Sequence, residues 1–125
     1  MKSAEFDFNN VSLGTDLEEV ARFVDFKAES RLAKNIFTAR ELKFVSGRAN
    51  RAQTLAARFA AKEAVRKSVK ENLRFNRIEI GSHPDGSPSV RYLDKKINKK
   101  YKTIISLSHT KEYAQAFCLT LKKYV

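Results

Sequence analysis

The chain is poor in cysteine and histidine, and this scarcity excludes several classes of protein. Its 125 residues include one cysteine, Cys118, and two histidines. A single cysteine cannot close an internal disulfide, and so few cysteine and histidine side chains leave no cluster for zinc. Cys118 lies in an apolar run, where a buried thiol is the expected state. This usage fits a reducing cytoplasm, which is the expected location.

Long apolar segments and common nucleotide-binding or hydrolase motifs are also missing. No stretch approaches the roughly 18 apolar residues of a membrane span. Residues 1–6 lack an apolar core, so no secretory signal is expected. The chain contains no P-loop, no G-x-G-x-x-G and no G-x-S-x-G. Any metal would then be a hard cation held by carboxylates, which points to magnesium with a phosphate as co-ligand.

Positive charge is in excess and unevenly distributed. The formal net charge is +11, and it divides into −2 for residues 1–39, +8 for residues 40–77 and +5 for residues 78–125. A basic field of this size attracts polyanions, which include nucleic acid, phosphorylated small molecules and acidic proteins. Charge alone does not choose among them.

The first part of the chain predicts one strand and three short helices. A strand is expected over residues 11–15. A helix is expected after Asp16, which is a favoured N-cap residue, because apolar residues recur at helical spacing: Leu17, Val20, Ala21, Phe23 and Val24. Residues 31–37 form a further helical segment. Thr38-Ala39-Arg40-Glu41 has the capping-box pattern and begins a short helix that should end near Gly47.

A long central helix is predicted over residues 49–72. Ala, Arg, Lys and Glu favour helix, and no Gly or Pro interrupts the chain from Ala49 to Phe75. Glu63 and Lys67 stand one turn apart on this helix. Spacing alone favours a solvated ion pair that contributes roughly 0.3–0.5 kcal/mol.

The second half of the chain predicts strands. Alternation and turn residues indicate a hairpin and then two further antiparallel strands: strands at 77–80 and 89–93 around a turn at 84–88, a lysine-rich connector at 94–100, and strands at 103–108 and 113–121 around a turn at 109–112. Residues 1–125 are therefore expected to form a single α+β domain, with helices packed on a small antiparallel sheet.

Five motifs, in this order, carry a resemblance to a known family: Gly14-Thr15-Asp16-Leu17-Glu18-Glu19-Val20, Phe37-Thr38-Ala39-Arg40-Glu41, Ala57-Arg58-Phe59-Ala60-Ala61-Lys62-Glu63-Ala64, Gly86-Ser87-Pro88 and Ser106-Leu107-Ser108-His109. Together they closely resemble the holo-acyl-carrier-protein synthases, the small phosphopantetheinyl transferases, from about residue 11 to residue 121. The resemblance implies the fold of that family and a homotrimer whose active sites lie between neighbouring subunits.

The resemblance also implies a reaction. Enzymes of this family transfer the 4'-phosphopantetheine arm of coenzyme A to a serine of an apo carrier protein and release adenosine 3',5'-bisphosphate. A serine hydroxyl attacks the β-phosphate, so positioning, a divalent cation and cationic side chains matter more than covalent chemistry. Magnesium is the implied cofactor, coenzyme A the co-substrate and an acidic acyl carrier protein, of fatty-acid or polyketide type, the partner.

The matching motifs imply roles for the catalytic side chains. Asp16 and Glu63 match the two carboxylates that hold magnesium against the pyrophosphate. Lys67 matches a lysine that neutralises phosphate charge. Lys67 and Glu63, the latter directly or through a bound water, are alternative bases for the acceptor serine.

Other matches imply contacts with coenzyme A. Arg58 and His109 match positions that contact its phosphates, and Gly86 and Pro88 match a loop that lies against the nucleotide. Lys62 belongs to the same motif and is a further candidate for coenzyme A binding, although it should point about 100° away from Glu63.

The chain departs from the family at positions that concern ligand and carrier binding. Ser87 and Asn35 stand where the family often has a basic residue. Arg22 matches an arginine that docks the carrier, but acidic residues surround it. Carrier attraction is therefore expected to shift to basic side chains farther along: Arg31, Lys34, Arg40 and Lys43. Two alternatives stay open, namely the same fold with an altered carrier or no activity, and a basic nucleic-acid-binding module.

Overall fold

The structure, a computed structural model, describes residues 7–123. Residues 1–6, on which the expected absence of a secretory signal rests, lie outside the described part. The helices and strands follow in the order β1 Val11–Glu19, α1 Arg31–Ile36, α2 Ala39–Ser46, α3 Arg51–Ser68, β2 Ile78–Ser82, β3 Pro88–Tyr92, α4 Lys95–Lys100, β4 Tyr101–His109 and β5 Tyr113–Lys122. Single turns of 3-10 helix occupy Phe8–Asn10, Val20–Phe23 and Phe75–Arg77.

Two antiparallel sheets flank the central helix α3. The larger sheet has three strands in the order β1-β5-β4. Its strand β5 pairs along its length with both neighbours. The smaller sheet is the β2–β3 hairpin, whose turn contains Gly86 at φ 89°, a conformation that favours glycine. The α+β prediction is confirmed, and so are the hairpin and the β4–β5 pair.

Helix α3 is the centre of the core because its side chains are small. Ala56, Ala60, Ala61 and Ala64 are fully buried, so strands can approach the helix closely. The closest approach is at Gly14 of β1, where an added Cβ would lie 1.9 Å from the carbonyl oxygen of Ala64. This contact fixes the distance between β1 and α3.

The predicted helix after Asp16 is wrong. Strand β1 continues through Asp16 to Glu19, because it pairs with β5 from Val11 opposite Leu121 to Glu19 opposite Tyr113. Only then does the 3-10 turn Val20–Phe23 begin, and it buries Val20 and Phe23. Asp16 is therefore a strand residue that faces α3 rather than a helix N-cap.

Two further boundaries differ from prediction. Helix α3 ends at Ser68, four residues early, because the chain turns there to bury Val69 and Leu73. The lysine-rich connector contains helix α4, and its N-cap Asp94 accepts hydrogen bonds from Lys96 N at 2.9 Å and Ile97 N at 3.3 Å. The capping box of α2 and its end before Gly47 are as predicted.

A chain of buried hydroxyl groups crosses the core beneath the larger sheet. Tyr92 hydrogen-bonds Thr103, Thr103 lies 2.8 Å from the Thr120 hydroxyl, and Thr120 lies 2.7 Å from the Ser68 hydroxyl. The thiol of Cys118 donates to Ser68 at 3.4 Å. The predicted burial of this cysteine is confirmed.

Among residues 7–123, no helix combines the length and the apolar content that a membrane crossing requires.

Candidate active site

Asp16 and Lys67 come together although 51 residues separate them in sequence. Asp16 points from β1 toward α3, where the Lys67 ammonium lies 3.3 Å from its Oδ1. The ammonium also donates to the carbonyl oxygen of Thr15 at 2.9 Å. Glu63 lies one turn before Lys67 on the same side of α3. Lys67 is therefore bound to the strand rather than to Glu63. We call Asp16, Glu63 and Lys67 the carboxylate–lysine cluster.

One oxygen of this cluster lacks an ordinary hydrogen-bond donor. Asp16 Oδ2 is buried and accepts no hydrogen bond from the amines, amides or hydroxyls of residues 7–123, and the Glu18 carboxyl can donate to Asp16 only when it is protonated. A buried carboxylate oxygen normally has a donor or a cation beside it, so this atom fits a metal ligand. No group of three metal-binding side chains occurs among residues 7–123. A site with two protein carboxylates, in which phosphate and water supply the remaining ligands, suits magnesium.

A third carboxylate lies beside the cluster and was missed from sequence. Glu18 is 8% exposed on the same face of β1 as Asp16. Burial, a hydrogen bond to Asp16 and the negative charge of Asp16 raise the pKa of Glu18 to about 7. The partner that opposes this rise is Arg22, whose guanidinium donates to Glu18. Residues 16 and 18 share a face in a strand but not in a helix. Because a helix was predicted here, the position of Glu18 beside Asp16 was not predicted.

The residues expected to contact coenzyme A line one cleft. Arg58, Gly86, Pro88 and His109 border a cavity of about 280 Å³ between the end of β4, the hairpin turn and α3. We call it the nucleotide cleft. Its lining also includes side chains that the sequence did not single out: Phe44, Arg48, Asn50, Gln53 and Thr54.

Arg58 is the most informative side chain of this cleft. It is 8% exposed, its Nε is buried and has no hydrogen-bond partner, and its guanidinium lies 4.3 Å from the centre of the Phe44 ring. Burial lowers its pKa. Arg48 lies 4.7 Å from the same ring centre. A buried cation that no carboxylate of residues 7–123 hydrogen-bonds fits an anion-binding position.

A second cavity of about 330 Å³ adjoins the nucleotide cleft and shares Phe44 and Arg58 with it. Glu79 is buried in its wall, where Arg91 lies 2.9 Å and Arg40 3.6 Å from Oε1. Glu41, which is paired with Lys62, also lines this cavity, so the cavity combines positive side chains with two neutralised carboxylates.

Lys62 lines neither cavity, so the predicted contact between Lys62 and coenzyme A is wrong. It is fully buried, and its ammonium donates to the carbonyl oxygens of Phe75 at 2.8 Å and Ile78 at 2.6 Å. The third partner is Glu41, with Oε1 at 2.6 Å. Burial lowers the pKa of Lys62, and the charge of Glu41 opposes that effect. All three donors are satisfied within the protein.

The departures from the family occupy defined positions. The Ser87 hydroxyl donates to Asp85 at 2.5 Å within the hairpin turn, so this turn position supplies no cation. Asn35 lines a surface cavity together with Arg66 and Arg74. Arg22 lies 5.6 Å from the centre of the Phe59 ring while it binds Glu18. Its side chain remains 58% exposed, so it stays available to a partner.

The two groups of site residues lie on different sides of α3. Arg58 and Lys67 are nine positions apart, which corresponds to about 180° around the helix and about 13 Å along it. The nucleotide cleft contains no residue of the carboxylate–lysine cluster. One chain therefore presents the two groups in different directions.

A family model described as the 4'-phosphopantetheinyl transferase superfamily matches residues 12–118. The chain belongs to this superfamily. The predicted recognition and enzyme class are thereby confirmed. A holo-[acyl-carrier-protein] synthase of Dehalococcoides mccartyi is 43% identical to this phosphopantetheinyl transferase over 112 residues, which cover 82% of this chain and 92% of the relative.

Solved structures of the superfamily share the fold. The holo-[acyl-carrier-protein] synthase of Neisseria meningitidis matches with a TM-score of 0.75 and 28% identity, covering 89% of this chain and 98% of that one. A Bacillus anthracis synthase, solved in complex with CoA (3',5'-ADP), matches with a TM-score of 0.73 and 25% identity, covering 90% and 96%. The predicted fold class is confirmed.

Proposed function

We propose that this chain transfers the 4'-phosphopantetheine group of coenzyme A to a serine of an apo acyl carrier protein and releases adenosine 3',5'-bisphosphate. The observation that carries the proposal is the Asp16 carboxylate, whose Oδ1 meets Lys67 and whose buried Oδ2 accepts no hydrogen bond from an amine, amide or hydroxyl of residues 7–123. A cation and a phosphate oxygen suit this pair. The superfamily relatives named as holo-[acyl-carrier-protein] synthases support the same reaction class.

The chemistry needs positive charge where phosphate oxygens gain negative charge. Lys67 lies beside Asp16 and can neutralise a pyrophosphate oxygen. This electrostatic interaction becomes stronger as negative charge develops on that oxygen in the transition state. Arg58 and His109 are proposed to bind coenzyme A phosphates in the nucleotide cleft, where Gly86 and Pro88 contact the nucleotide. Lys67 and Glu63 remain the alternative bases for the serine hydroxyl.

Asp16 and Glu63 would hold the magnesium ion. When bound, magnesium supplies Lewis-acid stabilisation of negative charge on the pyrophosphate. Asp16 fits this role because its buried Oδ2 accepts no hydrogen bond from an amine, amide or hydroxyl in the described part of the chain. The role of Glu63 is the one that the resemblance implies, and its position one turn before Lys67 on α3 is compatible with it.

Two subunits are proposed to complete each active site. The outer face of the larger sheet exposes large apolar side chains: Leu13, Leu17, Ile104, Tyr113, Phe117 and Leu121. Apolar faces of this kind mark protein interfaces. Association through this face, as a homotrimer, would let the nucleotide cleft of one copy face the carboxylate–lysine cluster of another. This arrangement accounts for the two directions in which α3 presents its site residues.

An acidic carrier is proposed to dock on exposed basic side chains of the first part of the chain. Arg22 is one of them, although Glu18 neutralises part of its charge. Arg31 and Lys34 on α1 and Lys43 on α2 are exposed, and no acidic side chain of residues 7–123 lies within ion-pair distance of them. A cytoplasmic location remains a prediction.

The test is a transfer assay with purified protein, coenzyme A, magnesium and an apo carrier protein. We expect the carrier to gain the mass of one phosphopantetheine group, and we expect Asp16→Asn to abolish that gain. Asp25→Asn is the matched control, because Asp25 is an exposed aspartate outside both groups of site residues.

Three other outcomes would contradict the proposed activity or the proposed role of Asp16. No transfer to several carriers, with coenzyme A still bound, would indicate a binding protein of the same fold or an unusual carrier. Binding to DNA at moderate salt without transfer would favour a nucleic-acid module. Equal transfer by wild type and Asp16→Asn would remove Asp16 from the metal site.

A further inference from the structure

A buried ion pair joins the elements that form the nucleotide cleft. Lys62 extends from α3 and contacts Glu41 of α2, Ile78 of β2 and the 3-10 turn before β2. Glu41 accepts the backbone N–H of Thr38 with Oε1 and that of Ile80 with Oε2, each at 2.8 Å. A single pair of charges thus links α2, α3 and the hairpin strand β2.

The hairpin has little other backbone attachment to the helices. It forms its own two-stranded sheet, with no hydrogen-bonded pairing to the larger sheet. Within residues 7–123, the hydrogen bonds between the backbone of β2 and the helices are those from Lys62 to Ile78 O and from Ile80 N to Glu41. A two-stranded hairpin is marginally stable by itself. Ile78, Ile80 and Tyr92 attach it to the core of α3 by apolar packing, which is non-directional, so the two hydrogen bonds add the directional contacts that fix its position.

The residues next to this pair line the cleft. Gly81 and Ser82 follow Ile80 in β2 and border both cavities, and the hairpin continues to Gly86 and Pro88. Arg58 lies one turn before Lys62 on α3. A shift of β2 along α3 would therefore change the distance between Arg58 and the hairpin turn.

Stability alone does not explain a pair of this kind. Replacing a buried ion pair by apolar residues is often neutral or stabilising, whereas charges that hydrogen-bond several backbone groups specify one geometry. We infer that Lys62 and Glu41 are positioning residues that hold the β2–β3 hairpin against Arg58 and so set the shape of the coenzyme A site. The inference rests on the proposed function for the identity of the ligand.

The test compares Lys62→Met with Ser68→Ala. Lys62→Met keeps the apolar stem and removes the ammonium. Ser68→Ala removes another buried polar group of α3, whose hydroxyl bonds Val65, Thr120 and Cys118 and no residue of the β2–β3 hairpin. We expect folded Lys62→Met to bind coenzyme A about tenfold or more weakly by calorimetry, with KM for the carrier unchanged within about twofold. Ser68→Ala should keep wild-type affinity at whatever stability it retains.

A second measurement does not depend on coenzyme A. The Ile80 amide should exchange with deuterium about tenfold faster in Lys62→Met than in Ser68→Ala, after correction for global stability. If Lys62→Met does not fold, Glu41→Gln replaces it. The glutamine NH2 group would then face the Ile80 N–H, so that hydrogen bond is lost, and the same changes in coenzyme A affinity and Ile80 exchange are expected. Unchanged Ile80 exchange in the folded variant overturns the inference. Failure of wild-type protein to bind coenzyme A would instead refute the proposed function.

Discussion

Gly14→Ala tests how strictly the contact between β1 and α3 determines the catalytic geometry. The new Cβ would lie 1.9 Å from the Ala64 carbonyl oxygen, and ordinary contact begins at 3.4 Å, so the strand must retreat by about 1.5 Å. Gly14 has no positive φ, so the effect is steric rather than conformational. Overpacking of a core costs about 1–3 kcal/mol, and we expect the upper end because the obstacle is backbone.

The same retreat moves Asp16, two residues along the strand, away from Lys67. A displacement of about 1 Å can reduce catalysis about 100-fold, so kcat/KM for phosphopantetheine transfer should fall by that order in the folded variant.

Gly47→Ala is the matched control for this substitution. No atom lies within 4 Å of its added Cβ, and its φ of −94° suits alanine. Its free energy of unfolding should stay within about 0.5 kcal/mol of wild type. Urea unfolding and the transfer assay measure both effects. If Gly14→Ala matches Gly47→Ala in stability and rate, the close approach at Ala64 does not set the site.

Three further predictions concern protons and the carrier. If Lys67 is the base, Lys67→Ala should remove the basic-limb ionisation from the profile of rate against pH, and an unchanged profile would exclude that role. In metal-free protein the pKa of Glu18 is about 7 in the folded chain and 4.5 in the unfolded chain. Between these two pH values the folded chain therefore keeps a proton on Glu18 that the unfolded chain has lost. The free energy of unfolding should therefore fall as pH rises from about 4.5 to about 7, and Glu18→Gln should flatten this slope in urea titrations. Arg31→Glu combined with Lys34→Glu should raise KM for the carrier about tenfold or more and leave KM for coenzyme A unchanged; equal effects would contradict docking on α1.

Local signals in the sequence predicted the local structure. The capping box at Thr38 predicted the start of α2, because both of its hydrogen bonds form within four residues. Turn residues predicted the β2–β3 hairpin for the same reason. The resemblance supplied the residues of both site groups, and the structure brings Asp16 beside Lys67 and lines one cleft with Arg58 and His109.

Long-range pairing decided what the sequence could not predict. The segment after Asp16 has helical periodicity, yet it forms a strand because β5, about 100 residues later, supplies its hydrogen bonds. That partner also determines which face Glu18 occupies. Lys62 belongs to a motif of binding residues, but its burial depends on Glu41 and on backbone carbonyls of the 3-10 turn and β2. Periodicity within one segment contains no information about either partner.

The buried thiol of Cys118 can be used to measure how often the core between β1 and α3 opens. It is the only cysteine in the sequence, and burial raises the pKa of its thiol, so native protein should react slowly with alkylating reagents. An added Cβ at Gly14 would lie 3.1 Å from its sulfur, at the junction of β1 and α3. Alkylation therefore marks at most one site per molecule. The rate of alkylation measures how often β1 separates from α3, and no additional probe needs to be introduced into the protein.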